Sequence, residues 1–139
     1  MDRRPEASFV GWGVVNKLLK FLLVGASGVV VNTALLYALY QLASLPLLVA
    51  SPLAVEASIF NNFIWNDRWT FLGSGRDKLR RFCRFNLVSL GGLAITTGVL
   101  YVLVTLLGVH YLFANLAGIS LATLWNFMLS FLWTWREGG

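Results

Sequence analysis

The chain has 139 residues, of which 58% are hydrophobic and 12% are charged, and its mean hydropathy is +0.71. These proportions leave too little polar surface to coat a soluble domain of this length, so they exclude a soluble globular protein and indicate an integral membrane protein. The net charge of +5 does not indicate a nucleic-acid partner, because membrane topology explains where the basic residues lie.

Four apolar stretches predict an all-α integral membrane protein with four transmembrane helices. The spans are expected at about 21–42, 47–67, 85–107 and 111–133, and each approaches the roughly 20 residues that a hydrocarbon core of about 30 Å requires.

The remaining segments are expected on the cytoplasmic side. Residues 1–20 mix aromatic and aliphatic side chains with basic ones, which predicts a short helix lying in the membrane interface. Residues 72–84 form a basic connection that resembles a second copy of this element, and residues 136–139 form a tail.

The two halves of the chain resemble each other. A shift of 64 residues aligns 20–71 with 84–135 without a gap, and fifteen of the paired positions are identical. Several identities are ones that composition alone does not readily supply: Gly28/Gly92, Tyr37/Tyr101, Asn62/Asn126, Phe63/Phe127, Trp69/Trp133 and Thr70/Thr134. The sequence therefore predicts two tandem helical-hairpin repeats, over 21–71 and 85–135.

The basic residues orient these hairpins. All eleven Lys and Arg lie outside the hairpin turns near 43–46 and 108–110. Under the positive-inside rule, both termini and the central connection are cytoplasmic. Because each repeat has an even number of spans, the repeats are parallel, and we expect a multi-pass protein of the cytoplasmic (inner) membrane.

Two interpretations of the basic residues are open. Most of them can be explained by holding the loops inside and contacting anionic membrane lipids. Lys20, Arg68 and Arg84 lie closest to the membrane, and their charged donors suit phosphate oxygens. These three are therefore candidate phosphate contacts.

Two stripes of polar side chains follow the second and fourth spans. At 100° per residue, each stripe occupies one face of its helix. The stripes are Ser51, Ser58, Asn62 and Asn66 in the second span, and Ser120, Thr123, Asn126 and Ser130 in the fourth. Since an amide is costly to expose to lipid, both should face protein or a water-filled groove. Helix-to-helix hydrogen bonding and a substrate path both stay open.

The first span carries small and polar residues on one face. Gly25, Gly28 and Asn32 share this face, and the third span has Ser89, Gly92 and Thr96 at the same places. Small residues let helices approach closely, and polar ones bond across the contact, so packing is the expected role.

Glu56 lies near the middle of the second predicted span. A carboxyl group at bilayer depth is neutral, paired or next to water, and by default it marks a functional site. Its equivalent in the second repeat is Ser120, so the halves have diverged here. We expect Glu56 to contact a substrate or serve transport, and the alternative is a neutral acid that donates a packing hydrogen bond.

Residues suited to catalysis or metal binding are scarce. Cys83 and His110 are each the single residue of their type, so no thiolate or histidine cluster is expected. A nucleophile with a base, or a working pair of carboxylates, is not evident either. We therefore expect no enzyme activity, no metal and no cofactor.

Each repeat ends in a polar and aromatic segment. The first repeat reads Asn-Phe-x-x-Asn-x-x-Trp-x-Phe from Asn62 to Phe71, whereas the second has Ser130 and Leu132 in place of Asn66 and Arg68. Together with the span count and the basic, Phe-rich entries to each repeat, this pattern resembles the GtrA-like family of small four-helix membrane proteins over nearly the whole chain.

The resemblance implies a role in cell-surface polysaccharide or glycolipid synthesis, as a flippase for polyprenyl-phosphate-linked sugars. Lys20, Arg68 and Arg84 would then contact the phosphate. The path would be lined by Glu56, Asn62, Asn66 and Asn126. A further set would either line the path or pack, namely Asn32, Ser58, Ser120, Thr123 and Ser130.

Two alternatives come from other functional classes. The chain could anchor or scaffold a membrane glycosyltransferase and move nothing itself. It could also be a small proton-coupled exporter with Glu56 as the proton-linked acid. Because four short helices enclose little volume, the flippase reading predicts a lateral groove or one completed by a second copy in a homodimer.

Overall fold

The computed structural model describes residues 6–136, with side chains from Gly11 onward. The expected segments 1–20 and 136–139 both extend past these limits, so the predictions for residues 1–5 and 137–139 lie outside the described residues.

Four helices make up most of the described chain. They are α1 (Glu6–Tyr37), α2 (Leu47–Trp65), α3 (Lys78–Tyr101) and α4 (Tyr111–Leu129). Each continues into a five-residue π-helical segment, at Ala38–Leu42, Asn66–Thr70, Val102–Leu106 and Ser130–Thr134. Residues 6–136 contain no β-strand, so the prediction of an all-α fold is confirmed.

All four helices are long and apolar enough to cross a membrane when their π-helical ends are included. The candidate spans are Gly11–Leu42, Leu47–Thr70, Lys78–Leu106 and Tyr111–Thr134. At 1.5 Å per residue, the shortest of these extend over about 36 Å, which exceeds a hydrocarbon core of about 30 Å. The predicted number of spans is confirmed.

The first helix of each hairpin begins before the apolar run in which its span is predicted. Instead of a separate short helix followed by a span from residue 21, α1 starts at Glu6 and continues without a break. Similarly, α3 starts at Lys78 rather than at residue 85. No proline interrupts 6–45 or 78–101, so the backbone has no strong signal that would end a helix where the apolar run begins.

The hairpin turns follow directly from the π-helical ends. In the first turn, the N–H of Ala43 donates to the carbonyl of Ala38 at 2.9 Å, and the next residue, Ser44, has a φ of 55°. At the same place in the second turn, Gly108 has a φ of 65°. This left-handed conformation ends the helix and lets the chain reverse.

The chain divides into two compact units between Gly73 and Ser74. In the first, which we call hairpin 1, α1 packs against α2; in the second, hairpin 2, α3 packs against α4. Apart from the starts of α1 and α3, the boundaries of corresponding elements differ by 64 residues: α2 begins at Leu47 and α4 at Tyr111.

Small side chains form the contact between the two helices of each hairpin, which we call the seam. Ala50 and Ala54 of α2 and Ala114 of α4 are wholly buried. A Cβ atom at Gly118 of α4 would lie 3.1 Å from the carbonyl oxygen of Thr96 on α3. The backbones therefore approach closely, as in membrane helices that associate through small residues.

Candidate functional site

The two asparagines that recur at the same place in both repeats lie against glycines. A Cβ atom built on Gly28 would lie 2.3 Å from Oδ1 of Asn62, and one built on Gly92 would lie 2.5 Å from Oδ1 of Asn126. Only glycine leaves room for the amide at these points. Asn62 and Asn126 are thus positioned by the seam of their own hairpin.

Hairpin 1 contains a hydrogen-bonded polar cluster around this contact. The hydroxyl of Ser58 donates to the carbonyl of Gly28 at 2.9 Å. Asn61 donates from Nδ2 to Oγ of Ser27 at 3.0 Å and to Oδ1 of Asn62 at 3.3 Å. Helix-to-helix hydrogen bonding therefore accounts for Ser58 and for Asn61, whereas the oxygen of Asn62 accepts from its neighbour on the same helix.

Hairpin 2 replaces part of this cluster with an aromatic residue. Trp125 occupies the position equivalent to Asn61, and its Nε1–H donates to the carbonyl of Val88 at 3.0 Å. Gly91 stands where hairpin 1 has Ser27, and a Cβ atom there would lie 2.9 Å from Nε1 of Trp125. The larger side chain on α4 is matched by a smaller one on α3.

Other polar residues that the sequence singled out, in the stripes and on the faces of the first and third spans, occupy different environments. Thr96 donates from Oγ1 to the carbonyls of Gly92 at 3.1 Å and Gly118 at 3.5 Å. Ser120 is exposed and donates to the carbonyl of Leu116 in its own helix at 2.7 Å. Asn32 and Thr123 are half-buried.

Polar side chains are buried where α2 and α4 become π-helical. Asn66 and Thr70 are 1% and 3% exposed, and Ser130 and Thr134 are 0% and 1% exposed. The side-chain oxygens of all four, and Oδ1 of Asn126, have no hydrogen-bond partner among the described residues. Leaving such an atom unsatisfied costs about 1–3 kcal/mol, so these positions are unusual for purely structural residues.

Lys20 and Arg84 make the same contact in the two hairpins. Nζ of Lys20 lies 5.3 Å from the ring centroid of Trp69 and 3.5 Å from its carbonyl oxygen. Arg84 lies 5.1 Å from the ring centroid of Trp133 and donates to its carbonyl at 3.1 Å. Each cation therefore binds the C-terminal end of the second helix of its own hairpin, where the helix dipole also favours positive charge.

Glu56 and Arg68 lie on exposed parts of hairpin 1. Arg68 follows the buried Asn66 by two residues, and side chains two apart on a helix do not face each other. The predicted phosphate contact Arg68 and the predicted path residue Asn66 thus do not face each other. Among the described residues, Arg68 makes no hydrogen bond or ion pair.

Two positioned residues were not anticipated from the sequence. Asn61 lies off the predicted polar stripe, and an adjacent pair of asparagines was the signal that could have identified it. Arg81 is buried to 8% exposure and donates to the carbonyls of Ser74 and Arg76, which holds residues 74–76 against the start of α3.

Few side chains of the kinds that bind metal ions bear on the prediction that the protein holds no metal. Across the described part of the chain, no three His, Cys, Asp or Glu side chains are grouped so that they could hold a metal ion. Cys83 is exposed. His110 caps α4, because its Nδ1 accepts a hydrogen bond from the backbone N–H of Leu112 at 3.3 Å.

Four apolar helices in two tightly packed hairpins define a multi-pass helical membrane protein. A family described as "GtrA/DPMS, transmembrane domain" matches residues 20–135, and the chain belongs to that family. The resemblance read from the sequence is confirmed. Members of the family take part in handling polyprenyl-phosphate-linked sugars.

A curated relative has a longer chain. A dolichol-phosphate mannosyltransferase from Pyrococcus furiosus is 40% identical over 111 residues, which make up 79% of this chain and 31% of the relative. The chain thus spans less than a third of the length of that protein.

Proposed function

We propose that the chain translocates a polyprenyl-phosphate-linked sugar across the cytoplasmic membrane, for the synthesis of cell-surface polysaccharide or glycolipid. The position of Glu56 carries this proposal. The residue is exposed on hairpin 1 and follows Leu47, the first residue of its span, by about 14 Å along a helix of about 36 Å. An acidic side chain exposed at this depth marks a functional site by default, and we assign it to contact with the sugar head group in transit.

Family membership supports the substrate class. A phosphate and a sugar must cross about 30 Å of hydrocarbon while the prenyl tail stays in the lipid. The seams of both hairpins are closely packed by small residues, so we place the path on the outer surface of hairpin 1. A lateral groove there, or one completed by a second copy, would accommodate the head group.

The basic residues would gather the phosphate on the cytoplasmic side, where we place both termini and residues 72–84. Arg68 is the strongest candidate, because its guanidinium is exposed and makes no hydrogen bond or ion pair among the described residues. Lys20 and Arg84 already bind tryptophans and carbonyls, so they would add positive charge that also attracts anionic lipids. Asn62 and Asn66 would support this path from inside hairpin 1, whereas Asn126 packs against Gly92 within hairpin 2.

Replacing Glu56 tests the path directly. Purified protein is reconstituted in liposomes that contain a polyprenyl phosphate carrying a labelled hexose, and movement between leaflets is followed with a membrane-impermeant reagent. We expect Glu56→Gln to lower the rate by about tenfold or more, equivalent to at least about 1.4 kcal/mol of barrier. Leu116→Ala, at an exposed apolar position of hairpin 2, should leave the rate unchanged. An unchanged rate in Glu56→Gln would remove Glu56 from the path.

A second candidate function is a membrane anchor for a polyprenyl-phosphate glycosyltransferase. It is favoured by the relative from Pyrococcus furiosus, which is named a mannosyltransferase and of which 31% matches this chain. In that case the chain is a non-catalytic module that moves no lipid. Co-purification with a glycosyltransferase, together with no leaflet exchange in liposomes, would select this function over translocation.

A further inference from the structure

From the geometry around Asn61 we infer a site that recognises sugar hydroxyl groups on hairpin 1. The site consists of the amide oxygen of Asn61, held in place by Ser27, Val24 and Asn62. It rests on the proposed translocation and adds to it the residue that distinguishes a sugar-bearing lipid phosphate from the bare lipid phosphate.

The orientation of the Asn61 amide follows from a chain of hydrogen bonds. The hydroxyl of Ser27 donates to the carbonyl of Val24 at 2.6 Å, and that carbonyl can only accept. The oxygen of Ser27 must therefore accept from Asn61, which requires the NH₂ group of Asn61 to point toward α1. The same NH₂ group donates to Oδ1 of Asn62. Both amide assignments are thus determined by the bonding pattern.

The opposite side of the Asn61 amide is left available. Its oxygen accepts no hydrogen bond from the described residues, and Asn61 is half-buried rather than enclosed. The residue follows Leu47 by about 21 Å along the helix and precedes Thr70 by about 14 Å, so it lies well inside the span. A carbonyl oxygen facing lipid at this depth would be unfavourable, so a hydrogen-bond donor should meet it.

The chemistry of this group selects the ligand. A phosphate has only acceptor oxygens in its ionised form, so an amide oxygen does not attract it. A sugar hydroxyl has a hydrogen to donate and fits the group. The site therefore complements the basic residues: they would bind the phosphate, and Asn61 would bind the sugar.

The second repeat shows how the site can be removed without disturbing the packing. Hairpin 2 has Gly91 and Trp125 where hairpin 1 has Ser27 and Asn61, and its indole N–H is directed at a backbone carbonyl. Hairpin 2 therefore presents no amide at this place. The double variant Ser27→Gly with Asn61→Trp transfers this pair into hairpin 1.

The test compares two lipids in liposomes, a polyprenyl phosphate that carries one hexose and the same polyprenyl phosphate without sugar. For Ser27→Gly/Asn61→Trp we expect movement of the sugar-bearing lipid to fall by about fivefold to tenfold, the loss of one hydrogen bond, while movement or binding of the bare lipid phosphate is unchanged. Asn61→Leu, which keeps Ser27, should show the same selective loss and serves if the double variant does not fold.

The possible results distinguish the Asn61 site from the proposed translocation. Equal losses for both lipids, or no loss for either, in a folded variant would overturn the Asn61 site while leaving translocation intact. If the wild-type protein moves neither lipid, and binds the two with equal affinity, both the Asn61 site and the proposed function fail. If it moves neither but binds the sugar-bearing lipid more tightly through Asn61, translocation fails and the site stands.

Discussion

Individual contacts explain why certain residues recur in both repeats. Gly28 and Gly92 leave space for the amides of Asn62 and Asn126, and a Cβ atom at either position would force the asparagine side chain to move. The sequence showed glycines and asparagines on helix faces, but it could not pair them, because the pairing depends on how each helix is rotated in the seam. Asn61 was missed for the same reason.

Adding one methyl group tests the glycine–asparagine contact. We expect Gly28→Ala and Gly92→Ala each to destabilise the protein by about 1–3 kcal/mol, since the asparagine must move out of a well-packed seam. Thermal unfolding of the detergent-purified protein measures the effect. Gly25→Ala and Gly98→Ala are matched controls, because a Cβ atom at either position meets nothing within 4 Å. Equal stability of all four variants would show that the contact is absent.

The buried hydroxyl of Thr134 allows a second prediction about stability. Thr134 is 1% exposed and its Oγ1 has no partner among the described residues, so Thr134→Val should leave stability unchanged or raise it by about 1 kcal/mol. Thr96→Val removes a hydroxyl that donates to Gly92 and should lower the unfolding temperature. If Thr134→Val is clearly destabilising, a bound water or ligand satisfies that hydroxyl.

At the scale of elements, the apolar runs predicted how many helices form and where α2 and α4 begin. They did not predict that α1 starts at Glu6, because a helix continues past the apolar run when no residue stops it. The π-helical ends were also not predictable, since they depend on hydrogen bonds such as that from Phe71 to Asn66 rather than on a composition signal. Such segments are frequent at functional sites.

The backbone conformation of the hairpin turns predicts how substitutions there change stability. Ser44 adopts a left-handed conformation that costs a residue with a side chain roughly 1–2 kcal/mol, whereas Gly108 adopts it freely. Ser44→Gly should therefore raise stability by up to about 1 kcal/mol, and Gly108→Ala should lower it by about as much. Chemical unfolding of the two variants against the wild type measures both. A destabilised Ser44→Gly variant would contradict the assigned turn geometry.

For the whole molecule, the duplicated hairpin provides a scaffold whose repeats differ at the proposed site. Glu56 corresponds to Ser120, Arg68 to Leu132 and Asn61 to Trp125, so the polar groups of the proposed path are concentrated in hairpin 1. Basic residues lie outside both hairpin turns, which supports a topology with the two termini and residues 72–84 in the cytoplasm. A substrate made on that side would meet Arg68 first.

We propose that this chain itself moves a polyprenyl-phosphate-linked sugar. The most direct measurement is the rate at which a labelled lipid of this kind changes leaflet in liposomes that contain only the purified wild-type protein, compared with protein-free liposomes. We predict an acceleration of at least about tenfold, which is a barrier lowered by about 1.4 kcal/mol or more. Equal rates in the two preparations, with the protein shown to be folded and inserted, would rule out translocation by this chain and favour the membrane-anchor function.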